Sequence, residues 1–154
     1  MECCLSVRKH VVQLFVSIAL MLPMAASMAE DAVVLVTYSD SSVEAISSLD
    51  IRKAYLGILV TIDGNTIRPI RRQEDQRLNM IFLQSVIAMS QKSYERRLIS
   101  MMLKFGTPRP TEVDSRDELL EQLASNPGAI AYMWKSDAEA ESRVKAIRVL
   151  WQSR

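Results

Sequence analysis

Residues 32–37 read Ala-Val-Val-Leu-Val-Thr, an unbroken run dominated by β-branched side chains. A strand with one wet face alternates apolar and polar positions. This run does not alternate, so it is expected to be buried on both faces inside a mostly parallel sheet. It is the first and central strand of the expected fold, and its burial requires helices on both sides of the sheet.

The rest of the chain supplies those helices. Ser47 with Asp50 three residues on has the spacing of an N-terminal cap, and Gly57 provides a left-handed stop, so a helix lies between them with Ile51 and Tyr55 on its apolar face. Asp63 and Gly64 mark a tight turn, after which TIRPI at 66–70 returns as a short strand whose Pro69, lacking a donor, indicates an edge position or the strand's end. From Asp75 the period becomes helical, with Leu78, Ile81, Phe82, Ser85, Val86 and Met89 recurring at three and four. Ser90 caps a further helix with a buried stripe of Tyr94, Leu98, Met101, Met102 and Phe105, broken by GTPRP at 106–110. Ser115 and Glu118 form a capping box for a helix carrying Leu119, Leu120 and Leu123. AIAYMW at 129–134 reads as a second buried strand and VKAIRVLW at 144–151 as a last, alternating one. Met80, Met89, Met101 and Met102 fall on apolar stripes and read as core, as do Trp134 and Trp151 at strand ends. The order predicts a single-domain α/β fold, a layered and largely parallel sheet with flanking helices and right-handed crossovers.

Residues 1–29 stand apart. Arg8, Lys9 and His10 precede a short apolar run, Val11 to Leu22, and Ser27 and Ala29 are small residues at the spacing of a cleavage site. This is the layout of a signal peptide, cleaved near Ala29, which implies a periplasmic or secreted product; the alternative is a retained membrane anchor, for which the apolar run is short. Residues 30–154, the expected domain, contain neither cysteine nor histidine, because Cys3, Cys4 and His10 all lie in the leader. A thiolate nucleophile, a Ser-His-Asp triad, a Cys/His metal site and a disulfide framework are thereby excluded from that domain, and no paired carboxylates suggest an enzyme. No cofactor or metal is expected. Charge is uneven: two cations against six anions over 30–67, nine against three over 68–109, two against eight over 110–142, and four cations without an anion over 143–154. The neutral total of this domain argues against nucleic-acid binding, and the basic middle favours either an anionic ligand or pairing with the acidic segment that follows.

Three segments in fixed order, SLDIRKAYLG at 48–57, TIDGNTIRPI at 61–70 and NPGAIAY at 126–132, resemble the phosphate-type substrate-binding proteins of ABC transporters. The resemblance implies one lobe of a type II periplasmic binding fold, in a short single-domain form. Ligands of open α/β sheets collect beyond the carboxyl ends of strands. Two loops fit that rule: Tyr38 to Ser42, with hydroxyls at Ser39, Ser41 and Ser42, and 71–78, which contains Arg72, Gln76 and Arg77. In the family the second loop carries an arginine, an acidic residue two positions on, then Ser-Gly-Thr at a helix start. Arg72 and Glu74 match the first two, whereas Gln76, Arg77 and Leu78 occupy the last three places. Arg72 is then either a forked ligand for an oxyanion or the partner of Glu74 or Asp75. Tyr132 is placed to reach a site at the sheet edge. The implied function is a noncatalytic, exported solute-binding protein for a small oxyanion such as phosphate, working with a membrane transporter. The alternative is an envelope interaction or sensory module that kept the fold without a ligand and binds a sensor or transporter protein.

Overall fold

The computed structural model describes residues 31–153; the expected signal peptide lies outside them. Strand β1 (Ala32–Tyr38) is followed by α1 (Ser48–Tyr55), a hairpin of β2 (Thr61–Ile62) and β3 (Asn65–Thr66), β4 (Arg68–Arg72) and α2 (Gln76–Phe82). Then come α3 (Gln91–Phe105), β5 (Thr111–Val113), α4 (Arg116–Ser125), β6 (Ala129–Trp134), α5 (Lys135–Glu139) and β7 (Val144–Gln152). Five strands form one sheet in the order β5-β4-β6-β1-β7.

The α/β layered fold is as the sequence predicts, but the sheet is mixed. Strands β5, β4 and β6 run parallel, whereas β1 is antiparallel to both of its neighbours, β6 and β7. A strand run buried on both faces reports its covering layers and not the direction of its neighbours, which is why the parallel expectation fails for β1. Alternate side chains of β1 feed two cores. Val33 and Leu35 join Ile51, Tyr55, Leu78, Phe82 and Leu98 on the face covered by α1, α2 and α3. Val34 and Val36 join Ile70, Leu119, Leu120 and Leu123 on the face covered by α4 and α5.

Pro69 is not at an edge, since β4 lies between β5 and β6. It pairs with Ile130 of β6, while pairing with β5 begins only at Ile70, so its missing donor falls where no β5 partner exists. Ser47, Asp75, Ser90 and Ser115 all cap helices through their side-chain oxygens. The helix from Asp75 does not run smoothly to Met89. It widens into a π turn at Leu83–Ile87 and stops at Ala88 with φ of 57°. The wide turn advances the phase by one residue, so Ile87 is buried and Val86 only half-buried. On α3, Tyr94, Leu98 and Met101 are buried as expected, but Met102 and Phe105 are exposed, as is Met80 on α2. Phe105 lies in the last turn, beyond the reach of the sheet's cover. Trp134 and Trp151 pack half-buried against the first core. Strand β7 deviates from simple alternation: Leu150 and Ile147 are extra residues opposite the Val33–Val34 and Leu35–Val36 steps of β1.

Three tyrosines weld the first core. Tyr55 donates its hydroxyl to the Ile70 carbonyl at 3.1 Å, Tyr94 donates to the Tyr55 carbonyl at 2.7 Å, and Tyr132 donates to Asn79 Oδ1. The Phe82 and Tyr132 rings stack with centroids 3.9 Å apart, and Tyr55 meets Phe82 edge-on at 4.7 Å. The hydroxyl of Tyr132 therefore faces the interior, not the sheet edge assigned to it from sequence. Burial raises all three phenols, Tyr55 and Tyr94 strongly and Tyr132 to about 12. In the unfolded chain these groups ionise near 10, so their contribution to stability is complete below that pH and is lost as pH rises through about 12. In an alkaline titration, three of the four tyrosines should gain phenolate absorbance only in step with loss of the circular dichroism of the fold; ionisation with the dichroism intact would contradict this core.

The NPG segment before β6 has a steric cause. A Cβ on Gly128 would lie 2.1 Å from the Thr66 carbonyl oxygen, and the Gly128 carbonyl itself accepts from Arg68 N–H at 2.8 Å. Backbone meets backbone there, and only glycine permits it. Gly128→Ala should cost about 1–3 kcal/mol or more by overpacking, read as a lowered denaturation midpoint.

Candidate functional site

Strands β4, β5 and β6 end on the same side of the sheet, and each leads into a helix there: α2 after β4, α4 after β5, α5 after β6. In a doubly covered sheet this is the edge where ligands gather. Because β1 is antiparallel to β6, its carboxyl end lies at the other edge. The Tyr38–Ser42 loop sits beside Pro127 and Arg143, separated from the α2 start by the length of β6, roughly 20 Å for six residues. The two loops expected to converge are thus on opposite edges, and the cause is the strand direction misread from sequence.

The serines at the far edge already have local duties. Ser41 Oγ donates to the Pro127 carbonyl at 2.7 Å and accepts from Val43 N–H, and Ser41 is buried. Ser42 Oγ accepts from Asn65 at 2.8 Å, and Ser39 Oγ donates to Asp40 at 3.3 Å. These contacts fasten the loop to the hairpin and to the NPG segment.

At the near edge, strand alternation sends Arg71 and Arg72 to opposite faces. Arg72, only 7% exposed, donates to Glu74 and lies 3.9 Å from Asp137 Oδ2, with Arg116 at 3.9 Å from the other oxygen of Asp137. Of the two roles open to Arg72 in the sequence, the structure displays the pairing with Glu74. Asp75 caps α2, accepting from Leu78 N–H at 2.9 Å and from Trp134 Nε1 at 2.7 Å. Asn79 donates to the Arg72 carbonyl at 2.5 Å, so the loop is held from both ends. Arg77 lies over the Trp134 ring, 5.2 Å from its centroid, and pairs with Asp31 at 2.7 Å.

On the first-core face, a cleft of about 840 Å³ opens between α2 and the start of α3. Its lining includes Arg71, Gln73, Gln76, Arg77, Ser90 and Gln91. Of the six residues singled out from sequence, Gln76 and Arg77 line it, Arg72 stands on the other face of the same loop, and the serines are remote. Arg71 is the residue that sequence reasoning missed. It is 2% exposed, packs over Tyr94 at 4.7 Å, and reaches Glu95 at 3.1 Å and Glu112 at 3.3 Å. Burial opposes its charge, but Tyr132, Tyr94 and the bond to Glu95 outweigh that and keep the guanidinium protonated. Its Nε and that of Arg72 are buried without a partner among the described residues. Adjacent arginines at a strand end were the available signal, since alternation must place one of them on each face. Amides, a hydroxyl and two guanidinium groups converge in this cleft, which equips it to hold a small polar or anionic molecule by hydrogen bonds.

No family model matches the chain, and no curated protein sequence does. Solved structures share its fold. One is a protein from Clostridium perfringens described as a phosphate ABC transporter substrate-binding protein and solved with bound phosphate: 17% identical, TM-score 0.57, covering 77% of this chain and 45% of that one. Another is an ABC-type phosphate transport receptor from Vibrio cholerae: 16% identical, TM-score 0.56, covering 77% and 46%. The chain therefore has the fold of part of a phosphate-type substrate-binding protein, and it spans less than half the length of these relatives.

Arg72 is a buried structural cation, so Arg72→Ala should destabilise the fold. Glu74 and Asp137 are each more than a third exposed or close to it and can be rehydrated, which holds the loss to about 1–2 kcal/mol, below the cost of breaking a fully buried pair. Chemical denaturation of the variant checks this; an unchanged midpoint would place the guanidinium in solvent.

Proposed function

We propose that this chain is an exported, noncatalytic solute-binding protein of the phosphate-transport type, cleaved near Ala29 and binding a small oxyanion such as phosphate in the cleft beside α2. The observation that carries the reading is the meeting of Arg71, Arg77, Gln73 and Gln76 at the carboxyl edge of β4, in a fold shared with phosphate-binding structures. Arg77 is the adaptable ligand, because its partner Asp31 is exposed and its guanidinium can swing from one anion to another. Arg72 supports the loop from the opposite face. The expected partner is a membrane transporter, which the relative described as an ABC-type transport receptor suggests.

A second reading has its own support: the arginines of 71–77 are already ion-paired within the chain, Arg71 with Glu95 and Glu112, Arg72 with Glu74, Arg77 with Asp31. A lobe whose cations are neutralised internally suits an envelope interaction or sensory module. Thermal unfolding in millimolar phosphate and sulfate separates the two. Ligand at about a hundred times its dissociation constant should stabilise the native state by about 2.7 kcal/mol, and Arg77→Ala should reduce the binding energy by about 1.5–3 kcal/mol, the scale of a charged hydrogen bond. Absence of any shift with either anion would sink the oxyanion reading in favour of the interaction module.

A further inference from the structure

Helix α3 turns its core stripe of Tyr94, Leu98 and Met101 inward and leaves its opposite side without cover. Lys92, Arg96, Ile99 and Leu103 stand there at spacings of four, three and four, which aligns them along one face. Ile99 and Leu103 are large apolar side chains on this side, 44% and 76% exposed.

The charge on this side has one sign. Lys92, Arg96 and Lys104 are exposed, and among the described residues none makes an ion pair. Glu95, the single acid of the helix, is turned towards Arg71 and Arg109. The occupant of such a face is therefore anionic. The face also lacks walls, because the shallow depression on it is lined by Arg96, Ile99, Ser100, Leu103 and Lys104, all of α3 itself. A partner helix seats in a groove between two elements, whereas a convex face with protruding apolar side chains among cations suits a lipid surface.

We propose that the outer side of α3 is a contact for a bilayer containing anionic phospholipid, with Ile99 and Leu103 entering the interface and Lys92, Arg96 and Lys104 meeting headgroup phosphates. This contact is independent of the cleft and of its ligand.

The test is co-sedimentation of the full chain with vesicles of phosphatidylcholine mixed with phosphatidylglycerol, against phosphatidylcholine alone. The leader contributes the same background to parent and variants, so differences between them report the helix. Arg96→Glu combined with Lys104→Glu should lower partitioning into the mixed vesicles about tenfold or more, since each cation near an anionic surface contributes. Ile99→Asp with Leu103→Asp should lower it comparably. Lys135→Glu, on α5 in the opposite layer, should leave it unchanged, and all variants should keep the parent unfolding temperature because the altered side chains are exposed. Added salt should weaken the parent's binding. Equal partitioning of parent and both α3 variants overturns the proposal. So does binding of the parent to polyglutamate with no preference for phosphatidylglycerol, which would assign the face to an acidic protein.

Discussion

The whole architecture hangs on the placement of β1 between two apolar layers. Its odd residues pack under α1 and α2 and its even residues against α4, so neither helical layer can form its core without the strand. Each side also depends on the sheet through polar contacts. Tyr55 reaches the carbonyls of both Ile70 and Ile130, and Thr37 donates to the Ala129 carbonyl at 3.0 Å, which registers β1 against the start of β6. Burying hydroxyls in this way is favourable only because each finds a backbone acceptor.

Local chemistry was readable from the sequence wherever a residue acts on its neighbours. The caps at Ser47, Ser90 and Ser115, the turn at Asp63 and Gly64, and the apolar runs at 32–37 and 129–134 all depend on short spacings, and all appear in the structure. Strand direction does not depend on such spacings. A run buried on both faces looks the same beside parallel or antiparallel neighbours, and misreading β1 carried the Ser39–Ser42 loop to the wrong edge. The π turn was equally hidden, since Val86 and Ile87 are both apolar and only the backbone decides which faces inward. The three-residue β5 and the five-residue α5 are too short to show a period. At the site, Arg72, Gln76 and Arg77 are legible as a loop at a helix start, whereas the role of Arg71 is not, because it arises from contacts with Glu95 and Glu112, 24 and 41 residues away.

The excess of cations between 68 and 109 resolves into two populations with different physics. Arg71 and Arg109 share Glu95 and Glu112 in a compact network, and Arg72 is held by Glu74 and Asp137. The first network and the Arg72–Asp137 contact realise the pairing between the basic middle and the acidic stretch that follows it. The cations of α3 have no such counterpart, so the basic segment makes the field of the surface one-sided even though the domain as a whole is neutral.

The paired irregularities in β7 have a consequence for the life of the molecule in crowded surroundings. This strand is nine residues long and lies at the margin of the sheet, where its outward amides and carbonyls would template another chain. The extra residues at Ile147 and Leu150 twist the margin and spoil a straight repeat of donors and acceptors, and both side chains turn back onto the first core. Lys145 and Arg148 add charge to the same strand, and are held down by the Ser41 and Ile46 carbonyls at 2.6 and 3.1 Å. The other margin, β5, is three residues long and offers little to pair with. Neither border therefore offers a second copy a long, regular run of donors and acceptors on which to add a strand.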